Sequence, residues 1–139
     1  MKEPKLIPGK LFSDSRGKVI FNNDFDASEA KRIYFIENID TDFIRGWQGH
    51  KIEQRWYMAT EGAFNINLIE IDNWEKPGQD CKRLNFEINA QNFDVLHIPP
   101  GYISSIQAIE DNSKLMVMSD YRLHEIDDEY KFPIDYFVI

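Results

Sequence analysis

The sequence predicts an all-β domain that contains very little helix. Apolar and polar residues alternate with period two in several short segments, which is the pattern of half-buried strands. Helical periodicity is scarce, and its best window, residues 26–31, covers only one or two turns. Apolar residues make up 42% of the 139-residue chain and aromatic residues 14%, which is enough to build one core. We therefore expect a single domain over residues 1–139.

Eight strands are predicted along the chain. The clearest are residues 64–68 and 84–88, in which apolar side chains alternate with asparagine or glutamate. Glu61-Gly62 and Asp111-Asn112 are predicted turns, because these residue types adopt turn conformations at low cost. A short helix over residues 26–31 is predicted to begin at a capping side chain. The eight predicted strands are residues 18–21, 32–36, 54–59, 64–68, 84–88, 93–98, 103–109 and 115–119.

The number of strands limits the possible architectures. Short antiparallel strands must cover their edges or close on themselves, so the pattern predicts a two-sheet jelly roll or a small barrel. Periodicity does not separate these two. Folds of both kinds commonly bind a ligand in their interior, so polar residues on otherwise apolar strands are the first candidates for a site.

Charge and composition exclude several classes of protein. Asp and Glu outnumber Lys and Arg by 24 to 16, which gives a net charge of −8, and no basic cluster is available to neutralise nucleic-acid phosphates. No apolar stretch approaches the ~20 residues that span a bilayer, and the first residues are charged rather than apolar. The one cysteine, Cys81, cannot form a disulfide framework. We expect a cytoplasmic protein with neither a nucleic-acid nor a membrane partner.

Residues 44–57 form the densest group of chemically useful side chains. Cations at Arg45, Lys51 and Arg55 are interleaved with aromatic residues and two glycines, a mixture suited to an anionic ligand. Arginine can bind a phosphate through two parallel hydrogen bonds. The alternative is a strand edge with solvated charges. Trp47 and Trp56 are interpreted either as stacking surfaces for a base or sugar or as core residues.

Residues 45–51, followed by Gly62, resemble the cupin motif of nucleotide-sugar isomerases. The similarity is to the dTDP-sugar 3,4-ketoisomerases and, more distantly, to the dTDP-4-dehydrorhamnose 3,5-epimerases. Other segments resemble further parts of these families: residues 14–17, 31–36, 98–102 and 119–121. The resemblance implies a double-stranded β-helix (cupin jelly roll) that forms a homodimer. It also implies an isomerase or epimerase of nucleotide-linked 4-keto-6-deoxy sugars in deoxysugar or polysaccharide biosynthesis, with no metal or nicotinamide cofactor.

The residues also disfavour a metal site. A metal cupin presents two histidines and a glutamate from its first motif and another histidine after a later turn. Gln48, Gln54 and Ser104 stand at three of these places, so only His50 remains. One imidazole does not make a transition-metal site.

The resemblance assigns roles to individual residues. His50 is the predicted catalytic base, because a neutral imidazole accepts a proton near pH 7. Gln48 lies on the same strand face and is predicted to bind the sugar. Tyr57 and Tyr102 are the predicted proton donors or oxyanion partners. Arg45 is predicted to bind the diphosphate. The remaining predicted substrate contacts are Trp47, Lys51 and Arg55.

Gln48 departs from the usual family pattern, in which a histidine occupies this place and acts as the base of the 3,5-epimerases. Glutamine cannot accept a proton at working pH, so isomerisation would depend on His50. The alternative function is a non-catalytic cupin that binds a sugar or nucleotide sugar at a decayed site.

Other polar and aromatic segments are predicted to be structural. His97 is expected to be a core histidine, and His124 and the acidic run 127–129 are expected to be solvated. The aromatic residues 130–139 are expected to pack over the domain or across a dimer interface, because a terminal segment frays unless it docks.

Overall fold

The computed structural model describes residues 3–137, and no helix occurs among them. The periodic pattern in this part of the chain is therefore the alternation of buried and exposed side chains along strands, not a helical repeat. Its strands are β1 (Lys5–Ile7), β2 (Lys10–Asp14), β3 (Gly17–Phe21), β4 (Arg32–Ile36), β5 (Ile44–His50), β6 (Arg55–Glu61), β7 (Ala63–Glu70), β8 (Arg83–Asn89), β9 (Val95–Ile98), β10 (Tyr102–Ala108), β11 (Lys114–Ser119) and β12 (Tyr130–Lys131).

The strands form two antiparallel sheets of five strands each. The first has the order β1-β9-β6-β11-β4 and the second the order β12-β5-β10-β7-β8. Strands β2 and β3 form a separate hairpin. This arrangement is the two-sheet jelly roll, so the structure decides between the two predicted architectures. Residues 3–137 hold no helix able to cross a bilayer.

The main core lies between the two sheets, where alternate side chains of facing strands meet. Strand β7 shows the pattern best, because Phe64, Ile66 and Leu68 are fully buried while Asn65 and Asn67 lie on the other face. Strands β6 and β11 contribute the opposite wall with Tyr57 and Val117. The period-two prediction for these strands is confirmed.

The outer faces of the sheets are also partly covered. Trp56 packs with Met58 and Phe25 on the first sheet, and His97 stacks on its ring with centroids 5.4 Å apart. On the second sheet, Phe137 is 3% exposed and packs edge-on against Trp47. The described part of the C-terminal segment therefore packs over its own domain, whereas residues 138 and 139 lie outside the described range.

All eight predicted strands start and end within about two residues of observed ones, and both predicted turns are present. The sequence did not predict β1, β2, β5 or β12. The predicted helix over residues 26–31 is wrong. Ser28 N donates to Asp26 Oδ1, and Ala30 N donates to Ala27 O, which makes consecutive turns. In a segment this short, too few hydrogen bonds form to offset the free-energy cost of helix nucleation. Packing of its flanking residues against the sheet therefore determines the path of the backbone.

Candidate active site

A small cavity opens between the two sheets beside strand β5. Its volume is about 40 Å³, and it lies among inward-facing side chains of β4, β5, β6 and β10. Because side chains repeat with period two, Gln48 and His50 both point from β5 toward this space. Arg55 and Tyr57 face it from β6 of the other sheet. Arg45 of β5 also lines the cavity, so the fold brings together five of the residues that the sequence analysis selected.

Strand β5 lies unusually close to β10 because of its glycines. A Cβ atom on Gly49 would lie 2.6 Å from the Cα of Ile103, a distance that real Cβ atoms do not reach. A Cβ atom on Gly46 would lie 2.8 Å from Ser105 Cβ. This close approach places His50 directly opposite Tyr102 in the sheet. The two glycines of the motif therefore serve to seat the histidine.

The hydrogen bonds of His50 fix which of its nitrogens carries the proton. The side chain is buried, and Nδ1 lies 2.9 Å from the backbone carbonyl oxygen of Asp128. A carbonyl oxygen only accepts, so Nδ1 must donate. Glu53 Oε2 lies 3.6 Å from the same nitrogen. The neutral ring therefore carries its lone pair on Nε2.

Burial and charge keep His50 neutral. Burial lowers the pKa of the imidazole below its ordinary value, and the positive charge of Arg55 lowers it further. The Asp128 carbonyl and the charges of Glu53 and Asp128 act in the opposite direction but do not overcome these two effects. At pH 7 the ring is unprotonated at Nε2 and can act as a base.

Arg55 is buried at the centre of the site rather than at its rim. Its Nη1 donates to the Tyr34 hydroxyl at 2.7 Å, and its Nη2 donates to Glu53 Oε1 at 3.1 Å. Ser119 Oγ also donates to Glu53 Oε1, at 2.6 Å. Among the described residues, no partner contacts the buried Nε atom. The guanidinium therefore organises Tyr34 and Glu53 and supplies positive charge to the cavity.

Tyr57 joins the two sheets across the cavity. Its hydroxyl lies 2.9 Å from Ser104 Oγ on β10, and burial raises the pKa of Tyr57 to about 12. The phenol therefore stays protonated throughout the physiological range. A neutral phenol beside a buried base is a group that can donate a proton or a hydrogen bond to a developing oxyanion.

Tyr102 is buried next to His50, but different charges surround its hydroxyl. Burial is the main effect that raises its pKa, and the charges acting on it are those of Glu70, Lys82 and Glu3. Arg55, which acts on both His50 and Tyr57, is not among them. Tyr57 lines the inner cavity, whereas Tyr102 borders a narrower space beside it together with His50 and Tyr57.

Gln48 and Lys51 differ in their relation to the cavity. Gln48 lines the inner cavity, and its Nε2 donates to Glu129 Oε2 at 2.7 Å. Lys51 lies just after β5, where its side chain is exposed and its ammonium lies 5.6 Å from the centre of the Tyr130 ring. The cavity therefore gathers Gln48 but not Lys51.

Arg45 and Trp47 face an outer groove of about 600 Å³ between β5 and the C-terminal segment. Arg45 also borders the inner cavity, and its Nε donates to Asn38 Oδ1 at 3.2 Å. Trp47 lies on the opposite face of β5 from His50, because the two are three residues apart. Its indole nitrogen donates to the carbonyl oxygen of Ile134. Trp47 is therefore a groove residue and does not line the inner cavity.

His50, Glu53 and Asp128 offer ligand atoms within 4.8 Å of one another, a spacing that a metal ion could use. Their hydrogen bonds do not suit one. Each carboxylate oxygen of Asp128 accepts from backbone N–H groups, and Nδ1 of His50, the nitrogen near this cluster, carries a proton. Metal binding would require these contacts to break.

The sequence analysis missed several residues of the site. Tyr34, Glu53, Ser104 and Asp128 each contact a predicted site residue. The prediction that the acidic run 127–129 is solvated is wrong for Asp128, which is 3% exposed. Its carboxylate is satisfied by backbone donors that lie more than seventy residues away in the chain, so no local signal reveals its burial.

Comparison with solved structures identifies the same fold in three sugar isomerases and epimerases. A mutant of the 3,4-ketoisomerase QdtA from Thermoanaerobacterium thermosaccharolyticum, in complex with TDP-4-keto-6-deoxyglucose, is 22% identical, with a TM-score of 0.72 over 98% of this chain and 92% of that chain. The TDP-quinovose 3,4-ketoisomerase WlaRB from Campylobacter jejuni is 19% identical, with a TM-score of 0.70 over 98% of each chain.

The third is the dTDP-4-dehydrorhamnose 3,5-epimerase from Bacillus anthracis with TDP and PPi bound. It is 14% identical, with a TM-score of 0.76 over 95% of this chain and 79% of that chain. These likenesses confirm the cupin-type jelly roll. A search of curated proteins found no significant match. The profile of the family described as WxcM-like, C-terminal (FdtA) matches residues 2–136, nearly the whole chain, and the protein therefore belongs to this family.

Proposed function

We propose that this protein is an isomerase or epimerase of a nucleotide-linked 4-keto-6-deoxy sugar, with thymidine diphosphate as the carrier. The observation that carries the proposal is the state of His50: a buried, neutral imidazole whose Nδ1 proton is used by a carbonyl and whose Nε2 is left as a base. Its neighbours in fold support the substrate class, since they include two 3,4-ketoisomerases and a 3,5-epimerase of TDP-linked sugars.

The chemistry follows from the acidity of a carbon next to a ketone. His50 Nε2 removes the hydrogen from that carbon, and the electron pair of the C–H bond moves to the ketone oxygen to form an enolate. Tyr57 is neutral and is proposed to donate a hydrogen bond or its proton to that oxygen. For isomerisation, the former carbonyl carbon receives the proton, and the hydroxyl on the carbon that lost its hydrogen gives up its own proton and becomes the new ketone. That hydroxyl proton passes to the former ketone oxygen, directly or through Tyr57. Return of the proton to the original carbon from the other face instead inverts the centre.

This reaction moves protons and involves no net oxidation. It therefore requires no metal or nicotinamide cofactor, and we propose that the enzyme works without one. Tyr102 remains a proposed second proton donor, although charges outside the cavity act on its hydroxyl. We also propose that the protein acts in the cytoplasm.

The proposed substrate contacts follow the path from the inner cavity to the outer groove. Arg45 borders both spaces, so a diphosphate at this boundary would meet its guanidinium. Gln48 presents its amide oxygen to a sugar hydroxyl. Trp47 lies in the groove, where a base can pack, and Arg55 supplies positive charge to the inner cavity. Lys51 is exposed just after β5 and is proposed as a further contact outside the cavity.

We further propose that the protein forms a homodimer through the β2–β3 hairpin. This hairpin pairs with neither sheet, and it exposes Leu11, Phe12 and Val19 by about half of their surface. An isolated two-stranded hairpin is marginally stable, so a second copy would cover it. Sedimentation equilibrium should show a dimer that Phe12→Glu dissociates, whereas Lys18→Glu on the same hairpin should leave it intact. A monomeric wild-type protein would contradict this proposal.

The function is tested with dTDP-4-keto-6-deoxyglucose, with product detection by NMR and binding measured by calorimetry. We expect turnover by the wild type and a loss of at least about 100-fold in kcat for His50→Asn, with binding retained, because the variant lacks the base. The matched control is His124→Asn, which changes an exposed histidine. Binding without turnover in the wild type would favour the non-catalytic function instead, and Gln48→His would then be expected to restore a rate.

A further inference from the structure

Asp128 is the most completely buried carboxylate near the site, and the proposed reaction makes no direct use of it. Both of its carboxylate oxygens accept backbone N–H groups of the turn between β5 and β6. Lys51 N donates to Oδ1 at 3.0 Å, and Ile52 N and Glu53 N donate to Oδ2, each at 2.8 Å. The side chain thus binds residues 51–53 to the loop that precedes β12. A carboxylate with three backbone donors is firmly held.

The backbone of the same residue makes the key contact with His50. The Asp128 carbonyl oxygen accepts the Nδ1 proton at 2.9 Å, which is closer than Glu53 Oε2 at 3.6 Å. His50 ends β5, and the turn that Asp128 binds begins at the next residue. The carboxylate therefore holds the turn after His50 against the loop that carries the Asp128 carbonyl. This contact fixes the distance between that carbonyl oxygen and His50 Nδ1.

We propose that Asp128 is the positioning residue of the site: its carboxylate holds the 51–53 turn, which places its own carbonyl oxygen on His50 Nδ1 and presents Nε2 to the cavity without a proton. This role rests on the proposed function only for its effect on turnover. The effect on the imidazole is a property of the folded protein alone.

The direction of the effect follows from the chemistry of histidine. In water, a neutral histidine ring prefers to carry its proton on Nε2, the nitrogen that does not contact the Asp128 carbonyl here. A ring in that form has no lone pair on Nε2 with which to remove the hydrogen from the substrate carbon. The contact with Asp128 reverses this preference, and Glu53 Oε2, at 3.6 Å from Nδ1, stabilises the positive charge that forms on the ring during proton transfer.

Asp128→Asn is the sharpest variant, because it keeps the size of the side chain and the backbone carbonyl. The asparagine keeps one acceptor oxygen, but its NH2 group faces at least one of the three N–H donors, so the clamp on the turn is weakened. Asp127→Asn is the matched control: it removes the same charge from the neighbouring, exposed position. With dTDP-4-keto-6-deoxyglucose, we expect Asp128→Asn to lower kcat about 10- to 100-fold and KM to change little, as for other residues that orient a catalytic group. Asp127→Asn should stay within about twofold of the wild type.

The second readout is the tautomer of His50, which loss of stability alone would not change. Nitrogen NMR of protein labelled with 15N-histidine, assigned with His50→Asn, should show an unprotonated Nε2 in the wild type and in Asp127→Asn. In folded Asp128→Asn, the protonated Nε2 form should appear. A wild-type ring protonated at Nε2 would overturn the inference without any variant.

The other combinations of tautomer and kcat in Asp128→Asn also test the proposed role of Asp128. An unchanged tautomer in Asp128→Asn overturns the inference even if kcat falls, because Asp128 would then be only structural. A changed tautomer with unchanged kcat overturns it as well. If the wild type shows no turnover, the proposed function fails while the tautomer measurement alone upholds or overturns the role of Asp128.

Discussion

His50 combines two opposing influences in one side chain. Burial and the Arg55 charge favour its neutral form, while Glu53 and Asp128 favour the proton that it gains during the reaction. A base placed in this way starts unprotonated near pH 7 and still receives some stabilisation once it is charged. The residue is therefore suited to accept a proton and then to release it at a second position.

The lowered pKa of His50 predicts the pH dependence of the reaction. Activity requires the neutral ring, so kcat/KM should be constant near pH 7 and fall as the pH drops through a pKa that lies below the ordinary 6.5. A pH–rate profile measures this limb, and a His124→Gln variant should retain it. An acid limb centred above pH 6.5 would contradict the assignment.

Tyr57 should matter through its hydroxyl. We expect Tyr57→Phe to lower kcat about 100-fold, because loss of one oxyanion donor typically costs that much, and to lower the free energy of unfolding by about 1 kcal/mol. The change in the free energy of unfolding arises because the Ser104 hydroxyl loses its hydrogen-bond partner. Steady-state kinetics and urea denaturation measure the two effects.

Tyr136→Phe is the matched control for this substitution. It removes a tyrosine hydroxyl whose partner is the carbonyl oxygen of Pro77, outside the cavity. Wild-type kcat in Tyr57→Phe would remove this residue from the proposed mechanism.

The residues that the sequence analysis selected share one property: they lie in or next to a recognisable motif. His50, Gln48 and Arg55 could be selected because they are close together in the chain. Asp128 could not be selected, because its contacts join segments more than seventy residues apart and its acidic neighbours suggest a solvated run. Burial of a polar residue by distant donors leaves no local pattern.

At the level of elements, alternation predicts the strands whose two faces differ most. Strand β7 was recognised because its inner residues are all apolar and its outer ones polar. Strand β5 was not predicted from alternation, because its inner face carries the polar residues Gln48 and His50 and its outer face carries Gly49 beside β10. The element that holds the site is therefore the one that hydrophobic pattern describes least well.

The C-terminal segment forms the outer cover of the second sheet and one wall of the groove. Phe137 is 3% exposed and packs on Trp47. We expect Phe137→Ala to lower the free energy of unfolding by about 3 kcal/mol, the usual effect of removing a buried aromatic ring. Urea denaturation measures the loss.

Ile134→Ala is the control in the same segment. Its side chain is 44% exposed, so its effect should stay within about 0.5 kcal/mol. Equal effects of the two substitutions would mean that the segment does not pack as described.

For the whole molecule, the acidic net charge and the proposed anionic substrate are compatible because charge is distributed unevenly. Arg45 lies in β5, Lys51 in the turn after it and Arg55 at the start of β6, so this region is locally basic on a chain of net charge −8. The same jelly roll occurs in neighbours with 14% to 22% identity, which shows that its core patterning tolerates wide substitution.

Removal of the proton from the carbon next to the sugar ketone is the central step of the proposed reaction. The most direct measurement is incubation of the protein with dTDP-4-keto-6-deoxyglucose in deuterated water, with deuterium at each sugar carbon followed by NMR. We predict exchange that depends on His50, with movement of the ketone to C3 identifying a 3,4-ketoisomerase and exchange at both C3 and C5 identifying an epimerase. No exchange at any carbon by the wild-type protein, with the nucleotide sugar bound, would contradict the account.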